Sequence, residues 1–435
     1  MRRSGPKSVA KLRARSRRPK DTRRNDRLAE MSARIDAARN ASFVRRPVFN
    51  QSLEVVAYEV VLGDGPVTEI TLDEETGRLV LNTVVSLDVA ELSDDKPLQL
   101  TVSSSVLESE LPPQLGPEHV ALVLGPGVET SPSVVSSLER LHAVGYRIVL
   151  DDLAANPGLH QLLRLSHAVK VNFSRNIGPS LAKQIAIMKT ASVELIADRV
   201  ESYDELRSAT NQGFSQFQGT FLSRPDAFRN TRAPAAQIAA LELITLLQDA
   251  EADISDIAEV IRRDVSLSYR ILKVVNSAQY SLTRSLGSIE EAVMLVGTKQ
   301  IVEWVGMMSM SKVNDKPSEL TRVAMVRARV CEALAKRLGR QDVQRFHVVG
   351  LFSVIEALLD VPADKALGSL PLSSEIVNAI VSFGGIMGEV LEGVIAYEEG
   401  DWERAHIIGI NDGVLASAFE TATVETDKTW SRISQ

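Results

Sequence analysis

From Phe43 to about Pro225, short runs of Val, Ile and Leu alternate with stretches of helical period. The runs Val55–Leu62, Leu98–Val102, Val120–Leu124, Arg147–Leu150, Val169–Val171, Glu194–Ala197 and Phe217–Thr220 read as strands buried on both faces. Helical stretches lie between the later ones, at 132–144, 157–166, 176–190 and 202–212. This order predicts parallel pairing. The later strands return every ~20–25 residues, which suits a (β/α) barrel. Polar residues follow the strands: Asp151 and Asp152, Lys170 and Asn172, Asp198 and Glu201, then Gln218, while Glu59 interrupts the first strand. In a barrel they would gather at the C-terminal mouth.

After a linker at 228–236 the pattern becomes all-helical, over 237–419. Leu241, Ile244 and Leu247 line one helical face, and Ser255 caps the helix of Ile257, Val260 and Ile261. Asp264 caps the helix of Leu267, Ile271 and Val274. Ser288 and Glu291 form a capping box before Ala292, Leu295 and Val296; Gly297 ends that helix, and Ile301, Val305 and Met308 carry the next. Residues 420–435, rich in Thr and Ser, read as a frayed tail. The predicted class is therefore α/β plus all-α.

Charge adds an N-terminal feature. Residues 1–24 hold eleven Lys or Arg against Asp21, a net of +10; the whole chain is −7, so the remainder is −17. Residues 1–41 read as a disordered basic arm with a short helix around 26–38, able to touch nucleic acid, anionic lipid or the acidic body. The acidic body would repel phosphate, which disfavours a nucleic-acid partner. No apolar core follows the charges, which argues against a secretory signal, and Met31 offers an alternative start. No apolar run reaches the ~18 residues of a membrane span. The single cysteine, Cys331, excludes an internal disulfide and fits a reducing, cytoplasmic setting; its helical context reads as core. Walker and GxGxxG motifs are absent, which disfavours nucleoside triphosphate chemistry. Carboxylates with one lysine at a barrel mouth are the side chains a two-metal phosphodiesterase needs.

Six motifs follow in order: Phe43-Val-Arg-Arg-Pro-Val-Phe-Asn50, Ala57-Tyr-Glu-Val-Val-Leu62, Gly145-Tyr-Arg-Ile-Val-Leu-Asp-Asp152, Val169-Lys-Val-Asn172, Ile196-Ala-Asp-Arg-Val-Glu201 and Gly213-Phe-Ser-Gln-Phe-Gln-Gly219 through Pro225. Together they resemble the EAL family, whose active members hydrolyse cyclic di-GMP. The resemblance covers 42–227 and implies a degenerate TIM-like EAL barrel. Glu59, Asp151, Asp152, Lys170, Glu201 and Gln218 keep the family's residue types. Thr101 stands where a metal-binding Asn is expected and Gly125 where a Glu is expected; Asn172, Asp198 and the Asp151-Asp-Leu-Ala154 loop also depart. Losing these ligands implies no Mg²⁺ unless the site still works, and no useful phosphodiesterase activity. The retained residues are equally readable as relics, with Asp151 and Asp152 as loop caps and Lys170 with Glu201 as a buried pair.

The segments Ile254–Asp264, Leu267–Ser277, Ser288–Gly297, Val349–Leu359, Leu370–Ser373 and Ala396–Trp402 carry a second resemblance. Through them residues 235–419 resemble the HDOD family, a helical relative of HD phosphohydrolases. None of the six histidines precedes an aspartate, and Ser353 and Val354 stand where the His-Asp metal pair would be. His347 nearby reads as structural. Asn276 and Tyr280 read as a helix-end cap or a pocket, and Met307, Met308 and Met310 beside Trp304 as core or an adaptable interface. Together these imply a non-catalytic signalling protein with no cofactor, acting through unidentified protein partners or a homo-oligomer. A receptor for cyclic di-GMP, or a residual phosphodiesterase, is the alternative.

Overall fold

The computed structural model describes residues 42–63, 96–109, 115–153, 157–174, 179–226, 254–262, 265–276, 286, 288–310, 316–368, 370 and 372–434. The basic arm, Ala154, the linker, the face of Leu241, Ile244 and Leu247, Asp264 and Tyr280 lie outside these residues, as do the side chains of Ser255 and Met310.

Eight strands close into a barrel in chain order. They are β1 (Ser42–Asn50), β2 (Val55–Gly63), β3 (Leu98–Thr101), β4 (Val120–Leu124), β5 (Arg147–Asp151), β6 (Ala168–Asn172), β7 (Glu194–Asp198) and β8 (Gln216–Phe217). Between them lie α1 (Ser104–Glu108), α2 (Pro132–Val144), a 3-10 segment (Pro157–Leu165), α3 (Pro179–Thr190) and α4 (Tyr203–Gln212). Strands β2 to β8 pair in parallel. Strand β1 runs antiparallel to both β2 and β8, an element the apolar pattern does not announce. Its sequence carries Arg45, Arg46 and Pro47 in place of an apolar run.

The two-residue period of the strands sorts their side chains. Tyr58, Leu100, Leu122, Ile148, Leu150, Val169 and Leu195 pack outward into the main core. Val48, Ala57, Ala121, Val123, Val149, Ala168 and Ile196 form a small separate cluster on the other, inner face. One step further along the same face come Glu59, Gly125, Asp151, Lys170 and Asp198, so the alternation that fills the barrel also aims these residues together.

Gly219 closes this region. Its φ is +149°, and a Cβ there would lie 2.1 Å from the Val200 carbonyl oxygen and 2.5 Å from the Val200 nitrogen. Val200 donates to the Gln218 carbonyl at 3.0 Å, so the two backbones cannot separate cheaply. Gly219→Ala is expected to cost about 1–3 kcal/mol, read as a lower urea midpoint; an unchanged midpoint contradicts the close approach.

The second half is helical: α5 (Ile254–Arg262), α6 (Val265–Val275), α7 (Ile289–Val296), α8 (Thr298–Met310), α9 (Ser318–Arg337), α10 (Val343–Phe352), α11 (Ile355–Leu359), α12 (Ala363–Leu367), α13 (Ser374–Ser382), α14 (Gly385–Glu399) and α15 (Asp412–Ser434). The Ser288 hydroxyl accepts from the Glu291 N–H at 3.1 Å, and Gly297 at φ +92° ends α7. Helix α9 lies centrally, packed on α10, α14 and α15. Trp304, Met307 and Met308 are fully buried.

The frayed tail expected from residue 420 is instead the second half of α15. Thr426, Asp427 and Thr429 are buried. Arg329 donates to the hydroxyls of Thr426 (3.2 Å) and Thr429 (3.0 Å), so the polar residues that suggested fraying are tertiary contacts. Low local helix propensity has been overridden by packing.

The stretch Ser374–Glu399 is long and apolar enough to cross a membrane, but half of its apolar window is buried inside the fold. It is two helices, α13 and α14, broken at Phe383 in the left-handed conformation (φ +53°).

Candidate functional site

The centre of the inner face is Glu59 on β2. Lys170 on β6 donates to its Oε1 at 2.5 Å, and the Gln218 amide donates to its Oε2 at 2.8 Å. Both carboxylate oxygens are therefore engaged by protein donors. All three side chains are buried, Lys170 to 1% exposure. Burial pushes the Glu59 carboxyl up, but Lys170, Arg46 and the two hydrogen bonds outweigh it and hold the pKa below normal. Lys170 moves the opposite way: burial lowers it, while Glu59, Asp198 and Asp151 raise it by more.

Asp151 and Asp198 share the same cation without a hydrogen bond to it among the described contacts. Burial pushes Asp151 up to about 7; Lys170 opposes this, and Asp198, Glu59 and Asp152 add to it. Asp198 is also raised, by burial first, against Lys170. Asp152 sits just outside the strand at φ +48°, its N–H donating to the Lys170 carbonyl at 3.1 Å. It is thus part of the β5–β6 backbone frame. Asn172 is buried, and its side-chain oxygen accepts from Ser174 at 2.9 Å.

Two expected metal donors are replaced side by side. A Cβ on Gly125 would lie 3.8 Å from the Thr101 Cγ2, with nothing nearer. A methyl group therefore faces a glycine, and there is space for a larger side chain.

Glu201 does not join the group. It is exposed on the turn before α4, and its N–H donates to the Glu205 carboxylate at 2.7 Å. The partner of Lys170 is Glu59 and not Glu201, because Glu59 shares the inner face whereas Glu201 lies beyond the end of β7. The sequence reading also missed Gln99 and Arg46. Both stand directly opposite Glu59 in the strand registers and share its face. Alternation along β3 would have placed Gln99; Arg46 lies on the strand whose pattern gave no signal.

In the helical half, the Ser353 hydroxyl donates to the Gly350 carbonyl at 2.7 Å and accepts from Arg327 at 3.2 Å. Arg327 is buried and pairs with Glu398 at 2.7 Å. Val354 is fully buried. Gly350 lets α9 and α10 touch, since a Cβ there would lie 2.5 Å from the Arg327 carbonyl oxygen. Cys331 is a buried free thiol, pushed up to about 12 by burial despite Arg327. His347 is buried against Glu332 (3.1 Å), which Lys299 and Lys336 also bind. Burial would raise Glu332, but His347 and the lysines depress it strongly. The Asn276 amide accepts from the Leu286 N–H (2.7 Å) and donates to the Leu286 carbonyl (3.0 Å).

Residues 233–360 match the HDOD domain family. The chain is 27% identical over 377 residues to the uncharacterized protein YuxH of Bacillus subtilis, covering 84% of this chain and 92% of that protein. It is 24% identical over 392 residues to CdgJ of Vibrio cholerae, named a cyclic di-GMP phosphodiesterase, covering 88% and 89%. Among solved structures, the EAL domain of Mycobacterium smegmatis DcpA is similar at 21% identity, 41% of this chain, 90% of that chain and a TM-score of 0.35. The chain therefore places an HDOD-family match, over residues 233–360, behind a closed eight-stranded barrel.

Proposed function

We propose that this EAL- and HDOD-type signalling protein is non-catalytic and acts inside the cell through protein contacts. The observation that carries the reading is the Thr101–Gly125 pair, where a methyl group faces a glycine at the place expected to supply two metal donors. Mg²⁺ needs near-octahedral oxygen coordination. Glu59 has both oxygens bound by Lys170 and Gln218, and among the described residues no three His, Cys, Asp or Glu side chains are grouped to hold an ion. This donor set does not fit Mg²⁺. Ser353 and Val354 likewise offer no His-Asp pair, and Arg327 neutralises Glu398 beside them. In each half a buried side-chain cation binds one of the carboxylates, Lys170 with Glu59 and Arg327 with Glu398.

The full chain incubated with cyclic di-GMP and Mg²⁺ or Mn²⁺ is expected to form no linear product. Sustained metal-dependent conversion overturns the reading. A second reading, a cyclic di-GMP receptor, is favoured by Asp151, whose carboxyl is pushed up to about 7 by burial and lies beside a buried lysine. Titration calorimetry separates the two. Saturable micromolar binding without turnover makes the mouth a receptor, and absence of heat leaves protein partners as the function.

A further inference from the structure

The β1–β2 hairpin meets the helical domain with both of its faces. On the outer face, Tyr58 donates to Glu319 Oε2 (3.1 Å) and accepts from Arg322 (3.0 Å). Arg45 lies over the Tyr58 ring at 4.2 Å and grips both oxygens of Asp427, at 2.6 and 3.1 Å. The inner face makes a different contact. Arg46 stands opposite Glu59 in the β1–β2 ladder, so both side chains point to the barrel interior. The Arg46 guanidinium nonetheless reaches the helical domain, donating to the Glu399 carbonyl at the C-terminal end of α14.

That end of α14 belongs to the Ala396–Trp402 motif, for which the barrel chemistry gives no role. Gly400 caps it at φ +70°, its N–H bonding to the Ala396 and Tyr397 carbonyls. Tyr397 meets Trp402 edge-on at 5.0 Å and stacks on Phe419 of α15 at 4.3 Å. Helix α15 in turn carries Asp427. The contact Arg46 makes is therefore continuous with the packing that holds the tail helix.

We propose that Arg46 couples the barrel interior to the helical domain, standing opposite Glu59 in the β1–β2 ladder while its guanidinium binds the end of α14. The charge bears on both Glu59 and Asp198, favouring their ionised forms. A half-buried guanidinium that loses the negative charge standing opposite it in the ladder turns to solvent, because an uncompensated charge is costly to bury. Arg46 would then release the Glu399 carbonyl, leaving the last turn of α14 without one of its C-terminal partners. Any ligand that engages Glu59 reaches α14 by the same route. This goes beyond the proposed function and holds whether the barrel is a relic or a receptor.

Hydrogen–deuterium exchange of the full chain tests it, with Arg46→Gln, Glu59→Gln, the double variant, and Glu194→Gln as a surface control on β7. Arg46→Gln is expected to speed exchange in 396–404 about tenfold, the equivalent of one charge-assisted hydrogen bond. Glu59→Gln, isosteric and confined to the barrel, is expected to speed the same segment, and this effect is expected to vanish in the Arg46→Gln background. Glu194→Gln is expected to leave it unchanged. Unaltered exchange at 396–404 in Arg46→Gln, or a Glu59→Gln effect undiminished in the double variant, overturns the coupling. A global rise in exchange that includes the β4 and β5 amides reports unfolding of the barrel and counts against it equally.

Discussion

Asp427→Ala is expected to destabilise the protein by about 3–5 kcal/mol, although it lies only a few residues from the C-terminus. Its carboxylate binds two arginines from two domains: Arg45 of β1 at 2.6 Å and Arg322 of α9 at 3.2 Å. All three side chains are exposed to 8% or less. Removing the anion leaves two guanidinium groups facing each other in a dry interface, with Glu319 as the remaining carboxylate. Glu319 is pushed up by burial despite Arg322 and Arg45, so it compensates poorly for the loss. Truncating one partner of a buried pair costs more than the pair contributes, because the other charge stays behind. The double change Arg45→Met with Asp427→Leu is therefore expected to recover part of the loss. Urea unfolding of the three proteins measures this; a loss under 1 kcal/mol for Asp427→Ala would show that the interface is hydrated or open.

The same residue explains where sequence reading stops. The parallel strands β2 to β7 were legible as short runs rich in Val, Ile and Leu, with polar residues closing β5, β6 and β7 and Glu59 interrupting β2. That regularity located Glu59, Asp151, Lys170 and Gln218 and, through the motif order, the resemblance to EAL and HDOD proteins. Strand β1 and the tail of α15 were not legible, for one shared reason. Arg45, Arg46, Asp427, Thr426 and Thr429 have the composition of solvated surface, yet each is satisfied by a distant partner: Arg45 and Asp427 by each other, Arg46 by the Glu399 carbonyl, and Thr426 and Thr429 by Arg329. Local pattern registers burial as apolarity and misses groups satisfied by distant partners. Glu201 fails in the opposite sense. Its place in a motif suggested the mouth, but one further turn of chain carries it to the surface.

Lys170→Met is the sharpest test of what the barrel interior now does, because its effect depends on pH in a sense that the geometry fixes. In the wild type, Glu59 has a lowered pKa, so its contribution is present above the unfolded value and is lost as pH falls through the folded one. Asp151 and Asp198 have raised values, and the sign reverses: the folded state holds their protons more tightly, so stability declines as pH rises, for Asp151 up to about 7. Lys170 favours the ionised form of all three, driving the downward shift of Glu59 and opposing the upward shifts of Asp151 and Asp198. Methionine keeps the stem and removes the charge, leaving Glu59 with the Gln218 amide and Arg46 as its remaining support. At pH 8, with the carboxylates forced to ionise, the loss is expected to be about 3–5 kcal/mol. Near pH 5 the same carboxyls are protonated in the variant, and the difference should shrink to a small fraction of that. Urea midpoints of wild type and Lys170→Met across this range decide the matter. A gap that widens with pH means that the lysine is the countercharge of the carboxylate group. A gap independent of pH means that Lys170 acts through its packing alone, and the barrel interior is then an apolar core with a buried polar remnant.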